Sequence, residues 1–120
     1  MAKRPNAELW IKLTFPGVGQ VGPGKVELLR KIDEHRSMAA AARAMKMSYR
    51  RAWLLVDELN TLFAQPVVAK WHGGQSKGGA SLTKLGKTLV QAYDSLVERS
   101  NRLNRNLLDE IGRNAGRPRK

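Results

Sequence analysis

The chain is 120 residues long, contains no cysteine, and sets 22 Lys+Arg against 10 Asp+Glu for a formal net charge of +12. That length holds one domain with a modest core and an appended element; the lack of cysteine excludes disulfide and thiolate chemistry, and no apolar run approaches the roughly 18 residues of a membrane helix. The charge suits a polyanion, either nucleic acid or an anionic membrane surface, and composition does not separate the two.

Residues 1–7 form a polar, basic arm. Its Met1-Ala-Lys-Arg-Pro5 start resembles the basic end of a signal peptide, but the apolar stretch after it is short and interrupted by Lys12. No cleavage pattern is present, so the expectation is a cytoplasmic protein. Glu8–Phe15 is apolar and partly alternating, the pattern of a strand whose partners come from elsewhere. Pro16–Gly24 reads as a loop, and Lys25–His35, with Val26, Leu28, Leu29 and Ile32 at helical spacing, as a helix. Gly17, Gly19 and Gly22 spell G-x-G-x-x-G between strand and helix. A dinucleotide fold would require a second parallel strand and an acidic residue after the helix, whereas Ser37 opens an alanine-rich helical run; a turn flanked by Pro16 and Pro23 is the better reading.

The most informative stretch is Ser37–Leu62. Ser37 is an N-cap for Met38–Met45, and Ser48 is an N-cap for a second helix whose Ala52, Leu55, Val56, Leu59 and Leu62 form one apolar face. Only Lys46 and Met47 separate the helices, which makes a helix-turn-helix in which Lys46 stands where glycine often takes a left-handed conformation. On periodicity alone an ordinary helical hairpin with a solvated charged face fits slightly better. Charge decides: from His35 to Val56 the chain carries Arg36, Arg43, Lys46, Arg50 and Arg51 and no carboxylate, and a single-sign surface attracts a polyanion. In such a motif Ser48, Tyr49, Arg50 and Arg51 head the helix that enters the major groove, with Arg50 the candidate for a base edge. Trp53 packs under the neighbouring hairpin or stacks on nucleic acid, with core packing favoured for so large an aromatic.

Pro66–Trp71, the glycine-rich His72–Gly79 and Ala80–Thr83 read as that hairpin, a wing with a long tip. Lys70, His72, Gln75, Ser76 and Lys77 are its candidate DNA-contacting residues, Lys77 reaching backbone or minor groove. The tip shares part of a P-loop spacing, but Ala80 and Ser81 occupy the positions where the chemistry needs Lys and Ser/Thr. Thr83 caps a final helix expected to run from Lys84 to Ile111, about 42 Å. Leu82, Leu89, Leu96 and Leu103 recur every seven residues, so its apolar stripe exceeds what a small core covers. Pairing of two copies through Leu85, Leu89, Tyr93, Leu96 and Leu103 is expected; the alternative is a helix that folds back or breaks near Ser100-Asn101. Gly112–Lys120 reads as a basic disordered tail. The only histidines, His35 and His72, are far apart, and Asp57-Glu58 and Asp109-Glu110 point in different directions along helices, so no catalytic or metal constellation is visible and no enzyme is expected.

The run SMAAAARAMKMSYRRAWLLVDELN, then GGQSKGG, then SLTKLGKTLVQAYD resembles the N-terminal DNA-binding domain of ModE-type molybdate-responsive transcriptional regulators, relatives of the LysR-type winged helices. Ser48-Tyr49, Ala52-Trp53, Asn60, the glycine-rich tip, Leu82-Thr83 and Gly86 carry the resemblance. It implies a mainly α winged helix-turn-helix with a small β sheet, made of the N-terminal strand plus the wing hairpin, and a long C-terminal dimerisation helix. The expected units are 1–82, DNA binding; 83–111, dimerisation; and 112–120, tail. The implied function is sequence-specific regulation by a homodimer on an inverted-repeat operator in double-stranded DNA, with a non-specific architectural or RNA-binding protein as the alternative. The family's C-terminal molybdate-binding domains have no counterpart up to Lys120, so no cofactor and no molybdate or other oxyanion binding is expected of this chain.

Overall fold

The computed structural model describes residues 6–71 and 79–116. In chain order they form β1 (Leu13–Phe15), β2 (Gly19–Val21), α1 (Pro23–His35), α2 (Met38–Ala44), α3 (Tyr49–Leu62), β3 (Val68–Trp71), β4 (Gly79–Leu82), α4 (Lys84–Leu103) and α5 (Arg105–Arg113). This is a mainly α winged helix-turn-helix. None of these helices is long and apolar enough to cross a membrane.

The caps follow the sequence. Ser37 Oγ accepts from the Ala40 amide at 3.1 Å, Ser48 Oγ from the Arg51 amide at 3.0 Å, and Thr83 Oγ1 from the Gly86 amide at 3.0 Å. Each satisfies one donor that a helix start leaves unpaired. Val26, Leu28, Leu29 and Ile32 of α1 are fully buried at the centre. Ala41, Ala42, Ala52, Val56 and Leu59 pack around them, and the wing root adds Val67, Val68 and Ala80. Small residues on α2 let α1 and α3 approach closely.

The β structure departs from expectation. The N-terminal strand does not join the wing: it pairs antiparallel with β2, Leu13 opposite Val21, while Val68 opposite Leu82 starts a separate two-stranded ladder. The stretch Pro16–Gly24 therefore contains a strand as well as a turn. Phe15, Pro16, Gly17 and Val18 make that turn, closed by Val18 N–H donating to the Phe15 carbonyl at 2.9 Å with Gly17 at φ 78°. Proline second and positive-φ glycine third are the requirements of a type II turn, which accounts for the first glycine of the G-x-G-x-x-G.

The last helix departs too. It is two helices joined at Asn104, whose ψ of 19° departs from helical values. The hitch lies three residues beyond Asn101. The amides of Asn104 and Leu108 still reach the carbonyls of Ser100 and Asn104, so the hydrogen-bond ladder continues across the joint. The arm gives a radius of gyration of 17.4 Å and extents of 56 × 33 × 23 Å, against about 13–14 Å for a compact chain of this length. Gly112 and Arg113, expected in the tail, complete α5; residues 117–120 lie outside the described residues.

An extended segment before β1 is strapped along this arm. Tyr93 Oη donates to the Ile11 carbonyl at 2.6 Å, Asn101 exchanges two hydrogen bonds with Leu9, and Arg105 donates to the Ala7 carbonyl at 2.6 Å. Tyr93, Asn101 and Arg105 stand at helical spacing on one face, and alternate carbonyls of the extended segment meet them. The basic arm expected over residues 1–7 is thus docked at Ala7; its first five residues lie outside the described ones. Arg30 of α1 adds an ion pair to Asp94 of α4 and another to Glu27. Partial burial pulls the Arg30 pKa down, and the two carboxylates outweigh it with a net upward shift.

Candidate nucleic-acid interface

The turn between α2 and α3 is built by hydrogen bonds that require an unusual backbone at one residue. The Met47 amide donates to the Ala42 carbonyl and the Lys46 amide to the Arg43 carbonyl, both at 3.0 Å, with Lys46 at φ 56°. This paired pattern is a Schellman motif, and its left-handed position holds a lysine in place of the usual glycine. The conformation costs a β-carbon-bearing residue about 1–2 kcal/mol. Met45 and Met47, partly buried against the core, fill the angle between the helices.

The turn delivers a set of polar and cationic side chains to one rim. Arg43, Lys46, Ser48, Tyr49, Arg50 and Arg51 are all exposed. None of their cations pairs with a carboxylate among the described residues. Other cations are engaged: Lys25 with Glu58 at 3.0 Å, Lys31 with Glu34 at 3.2 Å, Arg102 with Glu98 at 2.6 Å and Arg105 with Asp109 at 2.9 Å. Lys12, which the sequence places in a strand and assigns no role, is exposed beside this rim. With Met45, Met47 and Arg51 it lines a hollow of about 340 Å³. The signal that could have found it is the interruption of an apolar run by one lysine.

The wing root is anchored to the tail of α3. Asn60 Oδ1 accepts from the amides of Val67 and Val68 at 2.8 and 3.1 Å, and its Nδ2 donates to the Val68 carbonyl at 3.3 Å. Gly86, at the start of α4, faces the Val67 carbonyl so closely that a Cβ there would lie 2.1 Å from the oxygen. Asn60 and Gly86 thus set where the hairpin leaves the core, a role that local sequence does not reveal. Of the wing candidates, Lys70 is held against α3, its ammonium 3.3 Å from Asp57 and 3.6 Å from the centre of the Trp53 ring. His72, Gln75, Ser76 and Lys77 lie outside the described residues. Trp53 is half-buried and packed against the core, as its size suggests.

The expected dimerisation residues divide. Leu89 and Tyr93 lie inside the protomer's own core and Leu85 packs against it, because α4 starts at the wing root and runs over α1. They attach the arm and leave little surface for a second copy. Leu96 and Leu103, 45% and 85% exposed, continue with Leu107 and Ile111 as a stripe that the described residues leave exposed.

A helix-turn-helix joined to an anchored hairpin and a protruding helix defines the winged-helix class. A solved structure of a point mutant of MepR from S. aureus shares this fold at a TM-score of 0.59 and 16% identity, covering 76% of this chain and 69% of that one. No family model matches the chain. Among curated proteins the chain is similar to ModE transcriptional regulators and to two molybdenum-pterin-binding Mop proteins. It is 36% identical over 93 residues to the DNA-binding transcriptional dual regulator ModE of Escherichia coli K12, covering 78% of this chain and 36% of that protein. The molybdenum-pterin-binding protein MopB of Rhodobacter capsulatus is 42% identical over 77 residues, covering 64% and 28%, and MopA of the same organism 37% over 86 residues, covering 72% and 32%. The chain spans about a third of the length of these relatives.

Proposed function

We propose that the chain is the double-stranded DNA-binding module of a ModE-like transcriptional regulator, acting as a homodimer on an inverted-repeat operator. The observation that carries this reading is the cationic rim of Arg43, Lys46, Arg50 and Arg51 at the head of α3, none of which meets a carboxylate among the described residues, whereas Lys25, Arg30, Lys31, Lys70, Arg102 and Arg105 do. Arg50 is the base-reading candidate; Arg43, Lys46 and Arg51 hold phosphates, and Ser48 and Tyr49 complete the contact with the groove. The wing tip, His72 through Lys77, contacts backbone or minor groove. Regulation by DNA binding requires no catalytic group. The family relationship favours a site-specific regulator over an architectural protein.

The dimer reading rests on the stripe of Leu96, Leu103, Leu107 and Ile111. A partner copy covers these residues and places two recognition helices on one side of the duplex, with half-sites about one helical turn, or a multiple, apart. Selection from random duplexes is expected to return such a repeat, with log affinity falling steeply with log salt. Recovery of no consensus, or preference for RNA, would point to a non-specific binder. Sedimentation is expected to show a dimer that Leu103→Glu with Leu107→Glu converts to folded monomers; a monomeric parent protein, free and on the repeat, sinks the dimer.

A further inference from the structure

Tyr49, Trp53 and Asp57 succeed one another at four-residue spacing along α3, which puts them in a row on one face. The Tyr49 and Trp53 rings meet edge to face, with centres 5.9 Å apart and planes at 64°. Lys70, from β3 of the wing, lies across this row: its ammonium is over the Trp53 ring and beside the Asp57 carboxylate, and its side chain is 21% exposed. A cation in that place is attracted by the ring face and the carboxylate together. It is turned toward its own protein, unlike the free cations at the head of the same helix. Tyr49, at the other end of the row, is 52% exposed at the first position of α3.

We propose that Lys70 is a positioning residue that locks the wing against the recognition helix and, through Trp53, holds Tyr49 in its DNA-facing orientation, setting duplex affinity without touching the duplex. The proposal rests on the DNA-binding reading above. Asn60 fixes where the hairpin starts, near the tail of α3; Lys70 fixes its inclination further along, nearer the head. Between these two ties the base of the hairpin cannot swing about its root, so β3 and Tyr49 keep a fixed separation.

A direct phosphate contact and a positioning contact differ in their salt dependence. Replacing a lysine that neutralises a phosphate lowers the slope of log affinity against log salt by about 0.9. Replacing one that only positions other groups lowers affinity at every salt concentration and leaves the slope unchanged. Lys70→Met, which keeps the length of the side chain, is therefore expected to weaken binding to the selected duplex about fivefold to twentyfold with the parent slope. Lys70→Arg, which keeps a cation for both the ring and the carboxylate, is expected to recover most of the loss. In the DNA-free protein the Tyr49 ring protons, displaced by the ring current of Trp53, are expected to move toward free-tyrosine shifts in Lys70→Met and to stay in Lys70→Arg. A slope lowered by about one unit would make Lys70 a phosphate contact; an affinity within about twofold of the parent, or unmoved Tyr49 resonances, would also overturn the proposal. Should the parent protein bind no duplex, the DNA reading fails first, and the Tyr49 resonances alone still decide whether Lys70 holds the row.

Discussion

The head of the molecule, α2 to α3, and its arm, α4 to α5, are both rich in arginine and lysine, yet among the described residues ion pairs engage some of the arm's cations and none of the head's. On the arm, Arg102 and Arg105 find a carboxylate four residues away, and Arg105 also grips the Ala7 carbonyl. At the head, Arg43, Lys46, Arg50 and Arg51 meet no carboxylate among the described residues, and Lys46 occupies a strained backbone position. The arm also exposes an apolar run, Leu96, Leu103, Leu107 and Ile111, where the head leaves Leu54 exposed by itself among its leucines. Net charge alone therefore says little about where a polyanion docks; the distribution of partners for that charge says more. An unpaired cation keeps its full field for a ligand, whereas a paired one has spent it within the fold.

The arm is seated on the wing root at Gly86, and the largest expected effect comes from breaking that joint. Gly86→Ala places a Cβ 2.1 Å from the Val67 carbonyl oxygen, so backbone has to move; a loss of about 3 kcal/mol or more is expected in denaturant unfolding. At the head, Arg50→Ala should relax preference at one base pair at a cost of roughly 1–3 kcal/mol in binding while leaving stability unchanged. The matching change on the arm, Arg102→Ala, should leave binding unaltered, and a titration of both variants on one duplex checks the contrast. Lys46→Gly sharpens it further. Relief of the left-handed lysine should stabilise the fold by about 1 kcal/mol, and loss of the cation should weaken duplex binding and lower its salt slope by about 0.9. Stability and affinity would move in opposite directions, which melting and binding curves read separately.

The smallest effect belongs to the arm. Burial holds the Tyr93 phenol above its ordinary range. The folded state then retains a proton that the unfolded chain releases near pH 10, so this contribution is complete below about that pH and declines as pH rises through and beyond it. Tyr93→Phe should cost about 1 kcal/mol at neutral pH through its lost hydrogen bond and should flatten the alkaline decline, as thermal melts at several pH values would reveal.

Local signals in the sequence suffice for the helix starts, because Ser37, Ser48 and Thr83 act within three residues of themselves. The turn at Lys46 and the division of charge are legible for the same reason. What the sequence does not reveal depends on distant residues. The heptad of Leu82, Leu89, Leu96 and Leu103 looks uniform in sequence, but its first half is covered by α1 and the wing root and its second half is not. The β1–β2 pairing is a different case: Leu13 and Val21 flank the same turn, and Pro16-Gly17 at its centre is a local signal that points to a hairpin rather than to a loop. In sequence Lys70 is one more wing cation, since the ring and the carboxylate that engage it lie 17 and 13 residues away in the chain.

The strap that binds the start of the chain to the arm has a consequence in time. Its hydrogen bonds join residues 82, 92 and 98 positions apart, whereas α1, α2 and α3 are near neighbours in sequence. Contacts of short separation form early, and long loops close late. On a ribosome the recognition helix can therefore be complete while Ala7 to Ile11 still wait for Tyr93, Asn101 and Arg105 to emerge. A chain halted before Tyr93 would have its recognition helix made and none of the partners of Ala7 to Ile11.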